Sequence, residues 1–497
     1  MRGLKYRLVS SYTLRKGDPA RTNTDVVVIG VTGDRSKPRV APGGEAVAAA
    51  YGRRFGALLA SEAFEPTAGT AIRLRTDDTV RASTLVVVGM GAGTDPDHVA
   101  IRRAAGVAAR NLGNSGSVAL ALPARDEVEV RAVVEGFSSG GTGTDGATDV
   151  SILTDVARRQ DVRGALERAE VVEELLATAR DWVNEPPNLL TPLALAEAAV
   201  ELGKGSTVST EVYDADRLAE LRCGGILAVG LSSANHPCLL RLHHEPPKGV
   251  EPVARIALVG KGITYDSGGL TIKPGSSMAT MKFDMAGAAA VIATIHAAAR
   301  LELPVEIVAW APLAENMISG TAMRPGDVIT AYDGTTIEIA NTDAEGRLLL
   351  ADALALARES SPDAIVEIST LTGLCVTALG HKVAGLFGSD DQVAAVRAAA
   401  DAAGELVWPL PVPDHIVRAV RDTTMADLLQ HNWVRWGSSS FAAAFLRHFA
   451  GDTPFAHIDI AGPAWNGGEA WGDVPAGGTG FGVRTMVQYL IDLSESR

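Results

Sequence analysis

The chain is short of cysteine, of positive charge and of long apolar runs. Its 497 residues include three cysteines, Cys223, Cys238 and Cys375. An odd number without paired spacing argues against a disulfide framework and fits a reducing compartment, so a cytoplasmic location is expected. Lys and Arg total 45 against 59 Asp and Glu, a net charge of -14. That balance disfavours a broad nucleic-acid surface, which needs clustered basic side chains. The pairs Arg53-Arg54, Arg102-Arg103 and Arg158-Arg159 are scattered. The most apolar helix candidate, 286–299, is too short to span a bilayer and contains His296. The segment 1–7 lacks the apolar run of a secretory signal. With 46% hydrophobic and 21% charged residues, the composition is that of a globular chain long enough for two or more domains.

The pattern divides near residue 150. Before it, strand-like runs at 25–29, 84–88 and 118–122 alternate with helix-like stretches at 45–60 and 100–112. Such alternation predicts a mostly parallel α/β unit. Residues 136–146, dense in Gly, Ser and Thr, read as a loop. Residues 161–184 read as one long helix that stops before Pro186-Pro187. A larger α/β domain follows. The glycines in Val88-Gly-Met-Gly-Ala-Gly-Thr94 do not have dinucleotide-fingerprint spacing and read as a tight turn.

The densest chemistry lies at Asn341-Thr-Asp343-Ala-Glu345-Gly-Arg347, between the alternating run 336–340 and a helix-like stretch, 348–357. A strand ending where acids begin is where open α/β sheets bind ligands. Two apart in an extended segment, Asp343 and Glu345 would point the same way and repel unless a cation sits between them. A second cluster, Lys261-Gly-Ile-Thr-Tyr-Asp266 with Lys273 and Asp284, follows another strand-like run, 255–260. Alone, each of these acids reads as a cap or turn residue. Together, four carboxylates without His or Cys suit Mg, Mn or Zn. They are enough for two ions about 3.5–4 Å apart.

These segments are similar to the motifs of the leucyl (cytosol) aminopeptidases, two-metal exopeptidases. The resemblance extends to Val183–Asn188, Met281–Met285, Thr370–Gly373, His457–Gly462 and Thr479–Thr485, covering roughly 165–490 in order. It implies a smaller N-terminal α/β domain of macro-like type (1–160), a linking helix (161–184) and a larger C-terminal α/β catalytic domain with a mixed central sheet (185–497). It implies that Asp266 and Glu345 bridge both metals, that Asp343 completes one site, and that Asp284 and Lys261 complete the other. Lys261 must then be neutral, although chemistry alone favours an ammonium that merely neutralises the acids.

Lys273 is expected to stabilise the oxyanion formed when hydroxide attacks the peptide carbonyl. Arg347 is expected to hold a bicarbonate ion bidentately, which relays the proton. The pocket for the first side chain lines up with Met281, Asn341, Thr370, Gly373, Ala461 and Ala464, implying neutral residues such as Leu. The expected activity is removal of N-terminal residues from peptides, with Mn, Zn or Mg as cofactor, in a homohexamer, with no membrane or nucleic-acid partner.

One stretch departs from the resembled pattern. Residues 431–440 replace a Gly- and Ala-rich loop and carry Trp433 and Trp436, which would pack at a subunit interface or rim the active-site mouth. Glu367 stands at the usual acidic position before Thr370. Three other readings compete: a non-catalytic binding protein, a DNA-binding accessory, and a two-metal phosphatase. The first would be marked by loss of a ligand or of Lys273, and neither is lost. The second lacks a basic groove, and the third gives Lys261 no task.

Overall fold

The computed structural model describes residues 11–141 and 149–495. The chain forms two compact units, Met1–Ala177 with Gly467–Ala476, and Thr178–Asn466 with Gly477–Arg497. The division falls inside the helix Gln160–Asn184, the segment expected to link the two domains. The return of 467–476 to the first unit has no counterpart in the sequence pattern.

In the first unit the strands run Ser11–Arg15, Asp149–Leu153, Ser117–Ala121, Val26–Asp34, Thr84–Gly89 and Ala71–Arg75, with Lys37–Val40 beside Val26–Asp34. All pair in parallel except Ala71–Arg75 and Lys37–Val40. The continuous apolar run Val26–Ile29 is buried, as a parallel strand covered on both faces requires. The helix-like stretch 45–60 is two helices, Glu45–Tyr51 and Arg54–Ser61, broken at Gly52 with φ +55°. The loop expected over 136–146 is overturned at its start. Glu127–Gly140 is a helix, and 142–146 lie outside the described residues. Its glycines serve packing, not turning. A Cβ on Gly136 would stand 2.0 Å from the Arg102 carbonyl oxygen, and one on Gly140 2.3 Å from that of Gly106. The glycines let this helix lie directly on His98–Arg110.

The second unit carries a nine-stranded mixed sheet. At its centre four parallel strands lie side by side: Phe455–Asp459, Ala364–Ser369, Arg255–Gly260 and Glu306–Asn316. Antiparallel neighbours flank them, Ala384–Gly388 on one side and Cys238–His244 on the other. The helix Ala286–Arg300 packs onto the strand ends at very short range. A Cβ on Gly260 would meet the Gly287 carbonyl oxygen at 2.4 Å, and one on Gly287 the Ile368 carbonyl oxygen at 2.2 Å. A separate three-stranded sheet joins Val328–Thr330, Thr336–Glu338 and Leu428–Leu429. The three cysteines are free and buried. Among the described residues, no helix is long and apolar enough to cross a membrane.

Candidate two-metal centre

The carboxyl ends of the four central strands converge on one place, where ligands of open α/β sheets bind. Arg255–Gly260 continues past Lys261 into Gly262–Asp266, both segments pairing with Glu306–Asn316. Lys261 sits at the break, its N–H donating to the Ile368 carbonyl at 3.3 Å. Asp266 ends the second segment. Its Oδ1 accepts from the Gly268 N–H and from Asn316 Nδ2, both at 2.8 Å. Gly268 and Gly269, with φ of +84° and +62°, then turn the chain back so that Lys273 returns to the acids.

Asp284 lies in the 3₁₀ turn Met281–Met285. Its Oδ1 accepts from Thr370 Oγ1 at 2.7 Å. The Val183–Asn188 motif buttresses this turn, since the Asn184 carbonyl accepts from Lys282 Nζ at 2.6 Å.

The expected origin of the Asp343–Glu345 pair is corrected. The strand before them, Thr336–Glu338, belongs to the small sheet, not the central one. Asp343 stands in a 3₁₀ turn, Thr342–Ala344, and Glu345 in helical backbone at the start of Gly346–Glu359. Tight turning, not extended alternation, brings the two together. Carboxylate oxygens of Asp266, Asp343 and Glu345 all lie within 4.8 Å of one another. Gly346 keeps the helix start slim, because a Cβ there would meet Lys261 Cε at 2.5 Å.

The lysines balance part of this charge. Lys261 Nζ is 2.7 Å from Asp284 and 2.8 Å from Glu345, and Lys273 Nζ is 2.9 Å from Asp266 and 2.5 Å from Asp343. Four carboxylates thus face two ammonium groups. The protons report the shortfall. Burial, and next the charge of Asp266, push Glu345 up to about 8 against the pull of Lys261. Burial pushes Asp284 up to about 6 although Lys261 opposes it, and burial also raises Asp343. Burial works to lower both lysines. Asp284, Glu345 and Asp266 outweigh it at Lys261, and Asp266, Glu345 and Asp343 do so at Lys273, so both end raised. Oε2 of Glu345 is buried with no hydrogen-bond partner. An oxygen-rich, charge-deficient, partly unpartnered cluster fits divalent ions.

Arg347 is buried beside the acids. One terminal nitrogen donates to the Gln430 carbonyl at 2.6 Å, its guanidinium lies 5.9 Å from the Phe441 ring centre, and Nε has no partner. Burial lowers it to about 10, against Glu345 and Asp459. A buried guanidinium with a free N–H fits a small planar anion such as bicarbonate.

The expected pocket residues fall in different surroundings. Thr370 is tied to Asp284, and the Asn341 Oδ1 caps the Asp343 N–H at 2.9 Å. Met281 and Ala461 are half-buried, and Ala464 is buried. Gly373 is exposed, and a Cβ placed on it would meet nothing within 4 Å. Trp433 and Trp436 are 62% and 80% exposed, so neither is buried within the chain. Trp433 packs edge-on against His431, 5.1 Å between ring centres. Burial, then the Arg347 charge, lower His431 to about 4. The pattern missed Asn316, Thr342 and Gln430. Thr342 Oγ1 accepts from the Thr271 N–H and donates to the Gly268 carbonyl, both at 2.7 Å, locking the two acid-bearing turns together. Asn316, the last residue of its strand, offered the one available signal: a polar side chain at a carboxyl strand end.

Comparison with known proteins agrees with this geometry. The profile of the cytosol aminopeptidase family, catalytic domain, matches residues 177–487, and that of the N-terminal domain matches 28–141. A probable cytosol aminopeptidase of Streptomyces coelicolor is 41% identical over 513 residues, covering 97% of this chain and 98% of that one. One from Mycobacterium leprae is 44% identical over 416 residues, covering 79% and 78%. Among solved structures, the bottromycin maturation enzyme BotP in complex with Mn is similar with TM-score 0.84 and 36% identity, covering 95% of this chain and all of that one.

Proposed function

From the premise that this chain belongs to the cytosol aminopeptidase family and is a metal-dependent aminopeptidase, we propose that it removes Leu and other neutral N-terminal residues from peptides with a two-metal centre. The observation that carries this reading is the buried cluster in which four carboxylates face only two ammonium groups. Asp266 and Glu345 would bridge the ions, Asp343 would complete one site, and Asp284 with Lys261 the other. When bound, such ions lower the pKa of a shared water toward about 7 and polarise the carbonyl. Charge balance supports a neutral Lys261 in that state. Two dications, four carboxylates, one hydroxide and the Lys273 ammonium sum to zero only if Lys261 has released its proton.

Lys273 is held among the acids on the turn after Gly269, where it would stabilise the oxyanion more than the ground-state carbonyl. Arg347 would hold bicarbonate, whose contribution is a proton acceptor near the leaving amine. Neutral pocket positions such as Met281, Ala461 and Ala464 support the Leu preference. The manganese complex of BotP supports manganese as one metal, with zinc and magnesium as alternatives. A cytoplasmic homohexamer completes the reading.

The test is hydrolysis of leucine p-nitroanilide by metal-stripped protein refilled with Mn, Zn or Mg. Turnover that returns with metal, spares the N-acetylated substrate and slows in bicarbonate-free buffer is expected. Folded protein without turnover under any metal would overturn the proposal. Sedimentation at six times the 51.7 kDa chain mass is the expected assembly.

A further inference from the structure

Gln430 touches none of the acids, yet it fastens the elements that carry two of the site's groups. It follows the short strand Leu428–Leu429, which pairs with Thr336–Glu338, and its side chain is fully buried. An amide side chain offers one oxygen with two lone pairs and two N–H donors, and here all of them are used. Oε1 accepts from the N–H groups of Ala340 at 3.2 Å and Asn341 at 3.0 Å. Nε2 donates to the carbonyls of Asn341 at 2.8 Å and Ala344 at 2.9 Å. The main chain joins in: the Gln430 N–H donates to the Glu338 carbonyl at 3.0 Å, and its own carbonyl accepts from Arg347 at 2.6 Å.

The bonds bracket Asp343. They hold the chain on both sides of it, at 340–341 and at 344, while the backbone of the same residue fixes the guanidinium. Of the common side chains of this length, Glu lacks the donors and Met lacks both donors and acceptor. A fully satisfied buried network of this kind specifies one arrangement.

Resting on the aminopeptidase reading, we propose that Gln430 is a positioning residue. It sets the Asp343 carboxylate against Asp266 and Glu345, and so tunes one of the two metal sites, while orienting Arg347 for its anion. Partners that orient metal ligands alter affinity or activity by roughly 10–100-fold when changed.

The experiment uses the full chain and manganese alone. In the variant Gln430→Glu, a carboxylate oxygen faces the carbonyls of Asn341 and Ala344. The expected result is two-site Mn binding in which one affinity falls by roughly 10-fold or more and the other is unchanged. Turnover should fall in kcat with KM little altered. The variant-to-parent activity ratio should rise as pH falls, because protonation returns an O–H donor. Gln430→Asn, which keeps the amide on a shorter stem, should show a smaller loss in the same Mn site, and it carries the test if Gln430→Glu does not fold. Folded variants with both Mn affinities and the pH profile of the parent would overturn the proposal, whatever their melting temperatures. The Mn titration is independent of turnover. A parent that binds two Mn without hydrolysing peptides would sink the aminopeptidase reading, while the affinity comparison would still decide the role of Gln430.

Discussion

Two buried ionic clusters, one in each unit, differ in their cations and in their charge balance. In the first unit Arg102 reaches Glu135 at 3.6 Å and Asp473 at 3.1 Å, and Arg131 reaches Glu135 at 3.6 Å. Guanidinium and carboxylate groups meet here directly, each with its counter-charge at hand. In the second unit the acids of the candidate metal centre outnumber their ammonium partners, and three of those acids are held above the usual carboxylate range. Burial is common to both and so does not distinguish them. What marks the second is its excess of carboxylates over ammonium groups, which fits a cation supplied from outside.

The comparison can be broken most directly at Glu345. Glu345→Gln keeps the shape and removes one uncompensated charge. Hydrolysis should fall by about 10³-fold or more, the scale of several kcal/mol of metal-derived stabilisation. The melting temperature of the metal-free protein should hold or rise. A marked fall in metal-free stability would mean that this cluster is structural like the other.

The reciprocal change is Arg102→Leu, which removes the ion pairs to Asp473 and Glu135. The expected cost is about 3–5 kcal/mol of stability, read by denaturant unfolding, with metal affinity untouched. Lys273→Met tests the lysine proposed to face the oxyanion. A loss of about 10²–10³-fold in kcat is expected if it serves the oxyanion, against little change if it only neutralises charge.

A third kind of buried acid sharpens the contrast. Asp352 has no cation partner and accepts from the N–H groups of Ile226 and Tyr332, each at 2.8 Å. Burial raises it to about 7 in spite of those bonds. A carboxyl raised on folding binds more protons in the native state, so its contribution is fully present below the unfolded pKa, near 4, and fades as pH rises through about 7. The smallest effect is therefore a slope. Between pH 4 and 7 the parent should lose stability relative to Asp352→Asn, measured by melting at several pH values.

Much of the site was legible because its chemistry is local. Lys261, Asp266, Lys273 and Asp284 lie within one stretch, Asp343 to Arg347 within another, and each stretch adjoins a run with strand periodicity. Among the central strands Arg255–Gly260 was legible for the same reason, as were Val26–Asp34, Thr84–Gly89 and Ser117–Ala121 in the first unit, since continuous Val, Ile, Leu and Ala runs bounded by polar residues have few alternatives. What escaped acts through the main chain or over long separations. Gln430 is far in sequence from the turn it holds, and its contacts are to backbone atoms that any residue could supply. The helix over 127–140 was hidden because Gly136 and Gly140 resemble turn residues until the neighbouring helix is seen against them. The short strand before Asp343 looked like part of the main sheet because periodicity reports alternation, not membership.

The return of residues 467–476 to the first unit has a consequence for how the chain is made. The Arg102–Asp473 ion pair forms only when Asp473 arrives, and Arg110 donates to the Gly472 carbonyl at 2.7 Å in the same region. During synthesis the first unit therefore waits, nearly finished, until almost the whole polypeptide has left the ribosome. A fragment ending at residue 177 would lack the Arg102–Asp473 ion pair, so the unit that emerges first depends on a segment made near the end of synthesis.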